Sequence, residues 1–259
     1  MRYCFCSIAF RGTPIEEIVT RLAKIGYDAV EIWWKHIESR SDSELRDLRK
    51  LAADQGIGIE VISPYFWLTQ NRDLYDRSIE TAGLAIKAAR ALGCPKIRTF
   101  TDAGPTGIGS DVATEEHWDH AVRALQEITH TASDLLFPVE THANTLADTP
   151  DSVLGLIERV GAPNLKVLYQ AMDENSMIAE FDQLREHIAH IHIQNHDAEG
   201  THGPIEEGVV DIAGLLEHAR STGYRGSLSV EYCHKGATWD QAESAIQWLR
   251  SLEGAGSPR

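Results

Sequence analysis

Short β-prone runs and amphipathic helical stripes alternate eight times along the 259 residues, and no Ser/Pro/Gly-rich linker interrupts them. This alternation restricts the chain to a closed (β/α)₈ barrel or a doubly wound open sheet. The first unit sets the pattern: a run from Tyr3 to Phe10, then Pro14 to Lys24 with Ile15, Ile18, Val19, Leu22 and Ala23 on one helical stripe, closed by Gly26. AVEIWW and GIEVISPYF read as strands two and three, with a helix from Ser43 to Gln55 between them and another from Asp76 to Leu92 after them. KIRTF, starting at Lys96, opens the fourth unit, and its helix runs from Glu115 to Leu135. FPVETHA, LKVLYQ, AHIHIQN and SLSVEY supply strands five to eight. The helices after them span Asp151 to Val160, Glu180 to His187, Asp211 to Thr222 and Trp239 to Leu252.

A barrel is the better solution. No GxGxxG or GxxxxGKS loop follows the early strands, where an open nucleotide-binding sheet carries one, and polar residues gather at strand ends instead. A barrel of this kind needs about 250 residues, so the reading is one α/β (β/α)₈ TIM-barrel domain over residues 1–259.

Acidic residues outnumber basic ones by 39 to 24, a net charge of −15, which argues against nucleic acid or an anionic membrane as partner. The N-terminal segment MRYCFCSIAF is too short an apolar stretch for a signal peptide, and no run of 18 apolar residues occurs. Cys4, Cys6, Cys94 and Cys233 have no CxxC spacing and read as free thiols, with Cys4 and Cys6 packed on one strand face. The expectation is a cytoplasmic protein, with homo-oligomerisation left open.

Three strand ends carry the chemistry. Glu140 ends the apolar run Phe137-Pro138-Val139, and His142 lies two residues on, so both point the same way in extended backbone. Strand seven offers His190 and His192 in the same relation, and Glu231 ends Ser227-Leu228-Ser229-Val230. A carboxylate after an apolar strand needs a cation or hydrogen bonds. Two readings satisfy that: a shared divalent ion, with carboxylates tilting the choice to Mn²⁺ or Mg²⁺ over Co²⁺ or Zn²⁺, or metal-free ion pairs with Arg98 or Lys235. After strand two, Glu31, Trp33, Trp34 and His36 form a polar-aromatic group in which Trp33 is the candidate wall of a sugar pocket. Tyr65, Phe66 and Trp67 repeat the pattern after strand three.

Taken together, Glu140, Gln170, the His190-Ile191-His192 segment and Glu231 at the ends of strands five to eight resemble the metal site of the xylose-isomerase-like barrel superfamily. That group includes ketose 3-epimerases, hydroxypyruvate isomerases, inosose dehydratases and 3-dehydroshikimate dehydratases. The resemblance extends over nearly the whole chain, including Val30-Glu31 and the turn Gly208-Val209-Val210-Asp211. It implies metal ligation by Glu140, Gln170, His192 and Glu231, proton transfer by Glu140 and Glu231, and a supporting place for His190 next to the substrate. The chain departs from the family at strand six, where Gln170 stands for an aspartate; Asp173 is the alternative ligand. An endonuclease of the superfamily carries three metals and many more His and Asp ligands, which this chain lacks.

A metal held by carboxylates acidifies a C–H beside a carbonyl. Isomerisation or epimerisation of a sugar or keto-polyol through an enediolate is therefore the first expectation. Dehydration of an inosose or dehydroshikimate, with His142 of Glu140-Thr141-His142 taking part, is the alternative. A non-catalytic sugar-binding barrel is the third. His190, Trp33 and Lys235 are the candidate substrate contacts.

Overall fold

The computed structural model describes residues 1–103, 107–171, 173–233 and 236–254. Among the described residues are ten strands and eight α-helices: β1 Arg2–Cys6, α1 Ile15–Ile25, β2 Ala29–Trp33, α2 Asp42–Asp54, β3 Gly58–Ser63, α3 Arg72–Leu92, β4 Lys96–Ile97 and α4 Glu115–Thr131 come first. There follow β5 Phe137–Glu140, α5 Pro150–Val160, β6 Leu165–Tyr169, α6 Met177–Leu184 and β7 Ile188–Ile193. A short hairpin of β8 Asn195–His196 and β9 His202–Gly203 precedes α7 Ile212–Ser221, β10 Ser227–Val230 and α8 Trp239–Gly254.

Eight parallel strands form one sheet in the order β4-β3-β2-β1-β10-β7-β6-β5. The two ends of that order meet. Lys96 bridges Leu136 and Thr99 bridges Val139 in parallel, and Ile97 N and Thr99 N donate to Leu136 O and Pro138 O at 2.9 and 2.8 Å. The sheet is therefore a closed (β/α)₈ barrel, as the alternation requires.

Alternation within strands sorts the side chains. In β1, Tyr3 and Phe5 face the helices, where Tyr3 Oη donates to Leu249 O and Phe5 packs on Phe10, Tyr27 and Tyr232. Cys4 and Cys6 on the other face are buried free thiols. Ile191, Ile193, Leu228 and Val230 join the hydrophobic layer, while His190, His192, Ser227 and Ser229 point inward. The interior is thus polar and the apolar core lies between sheet and helices.

Local chemistry fixes most helix ends. Ser41 and Glu44 form a reciprocal capping box on α2, and Thr149 with Pro150 starts α5. Gly26 and Gly93 end α1 and α3 at φ 102° and 68°, a left-handed conformation costly for other residues.

Several boundaries differ from expectation. The first strand stops at Cys6, because Ser7–Phe10 winds into a 3₁₀ turn that brings Ser7 Oγ to Trp33 N at 2.8 Å. Helix α3 begins at Arg72, four residues before Asp76, because Asn71 caps it. Helix α4 ends at Thr131 rather than Leu135, and α6 lies three residues upstream of the Glu180–His187 expectation because His187 closes the turn into β7. No described helix is long and apolar enough to cross a membrane.

Candidate metal centre

Inward parity places Glu31, Glu140, His192 and Glu231 together at the C-terminal end of the barrel, all buried. His192 is the hub. Its Nε2 lies 2.9 Å from Glu31 Oε2, while Nδ1 faces Glu140 Oε1 at 3.5 Å and Glu231 Oε2 at 3.3 Å. One ligand atom from each of Glu140, His192 and Glu231 falls within 4.8 Å of the others, and Glu31, His190 and His192 meet the same test.

Arg98, just beyond β4, is the cationic counterweight. Its Nη1 donates to Glu140 Oε2 at 3.0 Å and lies 3.9 Å from Glu231 Oε1, while Nη2 donates to the carbonyls of Ser63 and Pro64. Tyr65 and Phe100 stack on each other at 6.1 Å, and the guanidinium carbon lies beside the pair, 4.8 and 4.6 Å from their ring centroids. The ion pair expected as the metal-free alternative for Glu140 is therefore present. It neutralises one of three carboxylates and leaves the others in excess.

The electrostatics follow from that crowding. Burial alone raises a carboxyl, yet the His192 and His190 rings hold Glu31 well below its ordinary range, and Arg98 and His192 lower Glu140. Burial disfavours a charged imidazole at His192, but Glu31, Glu231 and Glu140 together raise it well above its ordinary value. His190 goes the other way, to about 4, because burial outweighs the pull of Glu31.

Within the centre, His192 Nδ1 and Gln170 Oε1 are among the buried polar atoms that have no hydrogen-bond partner among the described residues. Gln170 and His192 line the same cavity of about 150 Å³. Its backbone is pinned by Thr141 Oγ1, which accepts from Gln170 N at 2.7 Å and donates to Gln170 O at 2.6 Å. An orphaned nitrogen and an orphaned carbonyl oxygen, beside excess carboxylates, are the donor set of a divalent ion. Asp173, by contrast, is exposed and accepts from Asn175 N and Nδ2 at 2.9 and 3.0 Å.

His142 sits half-buried in a cleft of about 600 Å³ shared with Gln170, Asp111 and Asp148. Asn144, at φ 59°, turns the loop back so that His142 N donates to Ala147 O, and the ring stands edge-on to Phe100 at 5.7 Å. Trp33 is half-buried, with Nε1 lacking a partner among the described residues and its ring edge-on to His36. His190 is fully enclosed beneath His192, both ring nitrogens bonded to Ser227 and Ser229. Lys235 and His234 lie outside the described residues.

One member of the cluster, Glu31, was not placed by sequence reasoning in the centre. Glu31 lies in the middle of β2, and its signal was a carboxylate set among the apolar residues Ala29, Val30 and Ile32. Arg98 was named from the sequence as an ion-pair partner for these carboxylates, and it meets Glu140.

The family model of the xylose isomerase-like TIM barrel matches residues 19–252. The chain belongs to that family. The xylose isomerase-like barrel is 28% identical to the 3-dehydroshikimate dehydratase of Bacillus anthracis, over 98% of this chain and 99% of that one. It is 25% identical to the D-psicose 3-epimerase of Agrobacterium fabrum over 61% and 58%. The crystal structure of a probable 3-DHS dehydratase involved in petrobactin synthesis, from Bacillus anthracis, superposes with a TM-score of 0.83 at 26% identity, covering 96% of this barrel and 99% of that one. A dehydratase and an epimerase are both among these relatives, so family membership leaves the reaction open.

Proposed function

We propose that this barrel is a divalent-metal-dependent enzyme that enolises a small polyhydroxylated carbonyl compound, with dehydration the outcome its geometry favours. Glu140, Gln170, His192 and Glu231 would hold the ion, with Mn²⁺ or Mg²⁺ suited to the oxygen-rich set. The bound ion supplies polarisation of the substrate carbonyl and its neighbouring hydroxyl.

The observation that carries the reading is the Arg98–Glu140 pair at 3.0 Å. A carboxylate bonded to a buried guanidinium and held below its ordinary range is a good anchor and a poor proton carrier. Glu231 is farther from Arg98, at 3.9 Å, and is the carboxylate left to take the proton from carbon. The second proton then belongs to His142 at the cleft. Its Nδ1 lies 2.8 Å from Ala143 O, which accepts from Nδ1–H and makes Nε2 the nitrogen that exchanges protons. In elimination, Glu231 accepts the proton of the broken C–H bond. The electron pair forms the C=C bond, and the β-hydroxyl leaves as water with a proton from His142 in its imidazolium form. The match along almost the full length of a dehydratase supports this reading. Isomerisation or epimerisation is the second reading, supported by a second carboxylate, Glu140, beside His192 and by the epimerase relative. Trp33 stays a candidate pocket wall, whereas His190 is proposed to support His192 from below rather than touch substrate.

Metal-loaded protein offered dehydroshikimate, inososes and ketoses in D₂O tests the proposal. Glu231→Gln should slow deuterium uptake at the substrate carbon by roughly 10²-fold or more. Uptake at the wild-type rate would remove Glu231 as proton carrier. His142→Gln should keep carbon exchange and lose dehydration; unchanged formation of an isomeric product would move the assignment to isomerase.

A further inference from the structure

The inward-facing polar residues form one connected column. Arg2 Nη1 and Lys96 Nζ each donate to Glu60 at 2.6 Å, Lys96 also donates to Ser227 Oγ at 2.8 Å, and Ser227 Oγ lies 2.7 Å from His190 Nδ1. His190 Nε2 lies 2.8 Å from Ser229 Oγ and 3.3 Å from Glu31 Oε2, the atom that also contacts His192. Glu31 Oε1 accepts from Ser63 Oγ. Glu31 thus stands between a locked imidazole and one whose other nitrogen faces Glu231 and Glu140 at 3.3 and 3.5 Å without a hydrogen bond among the described residues.

That asymmetry matters because an imidazole can turn half a revolution about its χ2 bond and exchange the nitrogen it presents. His190 cannot turn profitably, since each of its nitrogens has a serine of β10. His192 has only one anchored nitrogen, Nε2, and its anchor is Glu31 at 2.9 Å. The neighbouring rings meet edge to face, with centroids 5.7 Å apart at 82°, so His190 also blocks the lower side of His192.

We propose that Glu31 is a positioning residue: by accepting from Nε2–H of His192 it fixes the ring so that Nδ1 faces the space between Glu140 and Glu231. The inference rests on the metal-centre reading in its consequence, but the ring orientation it asserts does not require an ion. Loss of a carboxylate that orients a ligand histidine weakens metal binding by about 10- to 100-fold in other proteins. Glu31→Gln, which keeps an acceptor oxygen and the side-chain volume, belongs at the low end of that range and Glu31→Ala at the high end.

The test uses full-length protein labelled with ¹⁵N-histidine, with His192→Asn to assign the ring signals and Zn²⁺ as a diamagnetic probe. In metal-free wild type, the Nε2–H of His192 should exchange slowly with solvent, and Glu31→Ala should lose that protection. Zn²⁺ should shift Nδ1 and not Nε2, with binding weaker by about tenfold in Glu31→Gln. A rapidly exchanging Nε2–H in wild type, or the same protection in Glu31→Ala as in wild type, overturns the inference whatever Zn²⁺ does. Protection lost in Glu31→Ala while Zn²⁺ leaves Nδ1 unmoved in wild type supports the positioning and overturns the metal reading instead. Should Glu31→Ala fail to fold, protection and Zn²⁺ affinity in Glu31→Gln both equal to wild type overturn the proposal.

Discussion

The two ends of the barrel interior are both built from buried ionic groups, yet they are built to opposite rules. At the N-terminal end, Glu60 is met by Arg2 and Lys96, and Lys96 by Ser227 as well. The single carboxylate there is met by two cations, so none is left without a counter-charge, and the contacts tie β1, β3 and β4 together. At the C-terminal end, Glu31, Glu140 and Glu231 surround one imidazole and one guanidinium, and His192 Nδ1 and Gln170 Oε1 have no partner among the described residues. Buried charge alone does not mark a functional site; unmatched charge with unmade bonds does.

If that contrast is right, damage at the lower end should be structural only. Lys96→Met removes a cation from Glu60 and a donor from Ser227, and should lower unfolding free energy by about 3 kcal/mol in urea titrations. Metal affinity of the folded fraction should stay within about twofold, well short of the tenfold that 1.4 kcal/mol represents. A parallel fall in metal affinity would break the comparison.

His190 sits at the seam between the two ends, and its pKa of about 4 gives a pH signature. Above pH 6.5 the ring is neutral folded and unfolded. Below it the unfolded chain takes a proton that the buried ring refuses, so stability falls as pH drops from 6.5 through about 4. The loss from this residue is about 3 kcal/mol across that window. His190→Asn, measured by urea unfolding of metal-free protein at several pH values, should flatten the limb by that amount; an unchanged slope would place the titration elsewhere.

The smallest expected effect sharpens the upper end. Gln170→Asp adds a fourth carboxylate where an orphaned amide oxygen now stands, and should tighten Mn²⁺ binding by about tenfold, or ~1.4 kcal/mol. Equal affinity in a Mn²⁺ titration would show that Gln170 is not a ligand.

Much of this was legible beforehand because strand alternation is local. The runs HIHI, SLSV and YCFC each announce which residues face inward once a barrel is assumed, and Glu140, His192 and Glu231 follow from parity at strand ends. The helix ends that went astray, at α3, α4 and α6, were decided by caps and by where the next strand had to begin.

What the sequence determined by itself is the barrel, the inside and outside of its strands, and the core of the candidate metal centre, since each depends on spacing within a few residues. Tertiary structure alone decided that Glu31 meets His192 across 161 positions, and it chose Arg98 among the cations the sequence offered to Glu140. It also decided the shift between β2 and β3, where Val30 pairs with Ile59 but Glu31 with Val61. Without that extra residue, Glu60 and Ser63 could not both reach inward, one to Lys96 and the other to Glu31. Register between strands and closure of the barrel set the height at which each inward side chain sits, and neither is written in the local period of any one strand.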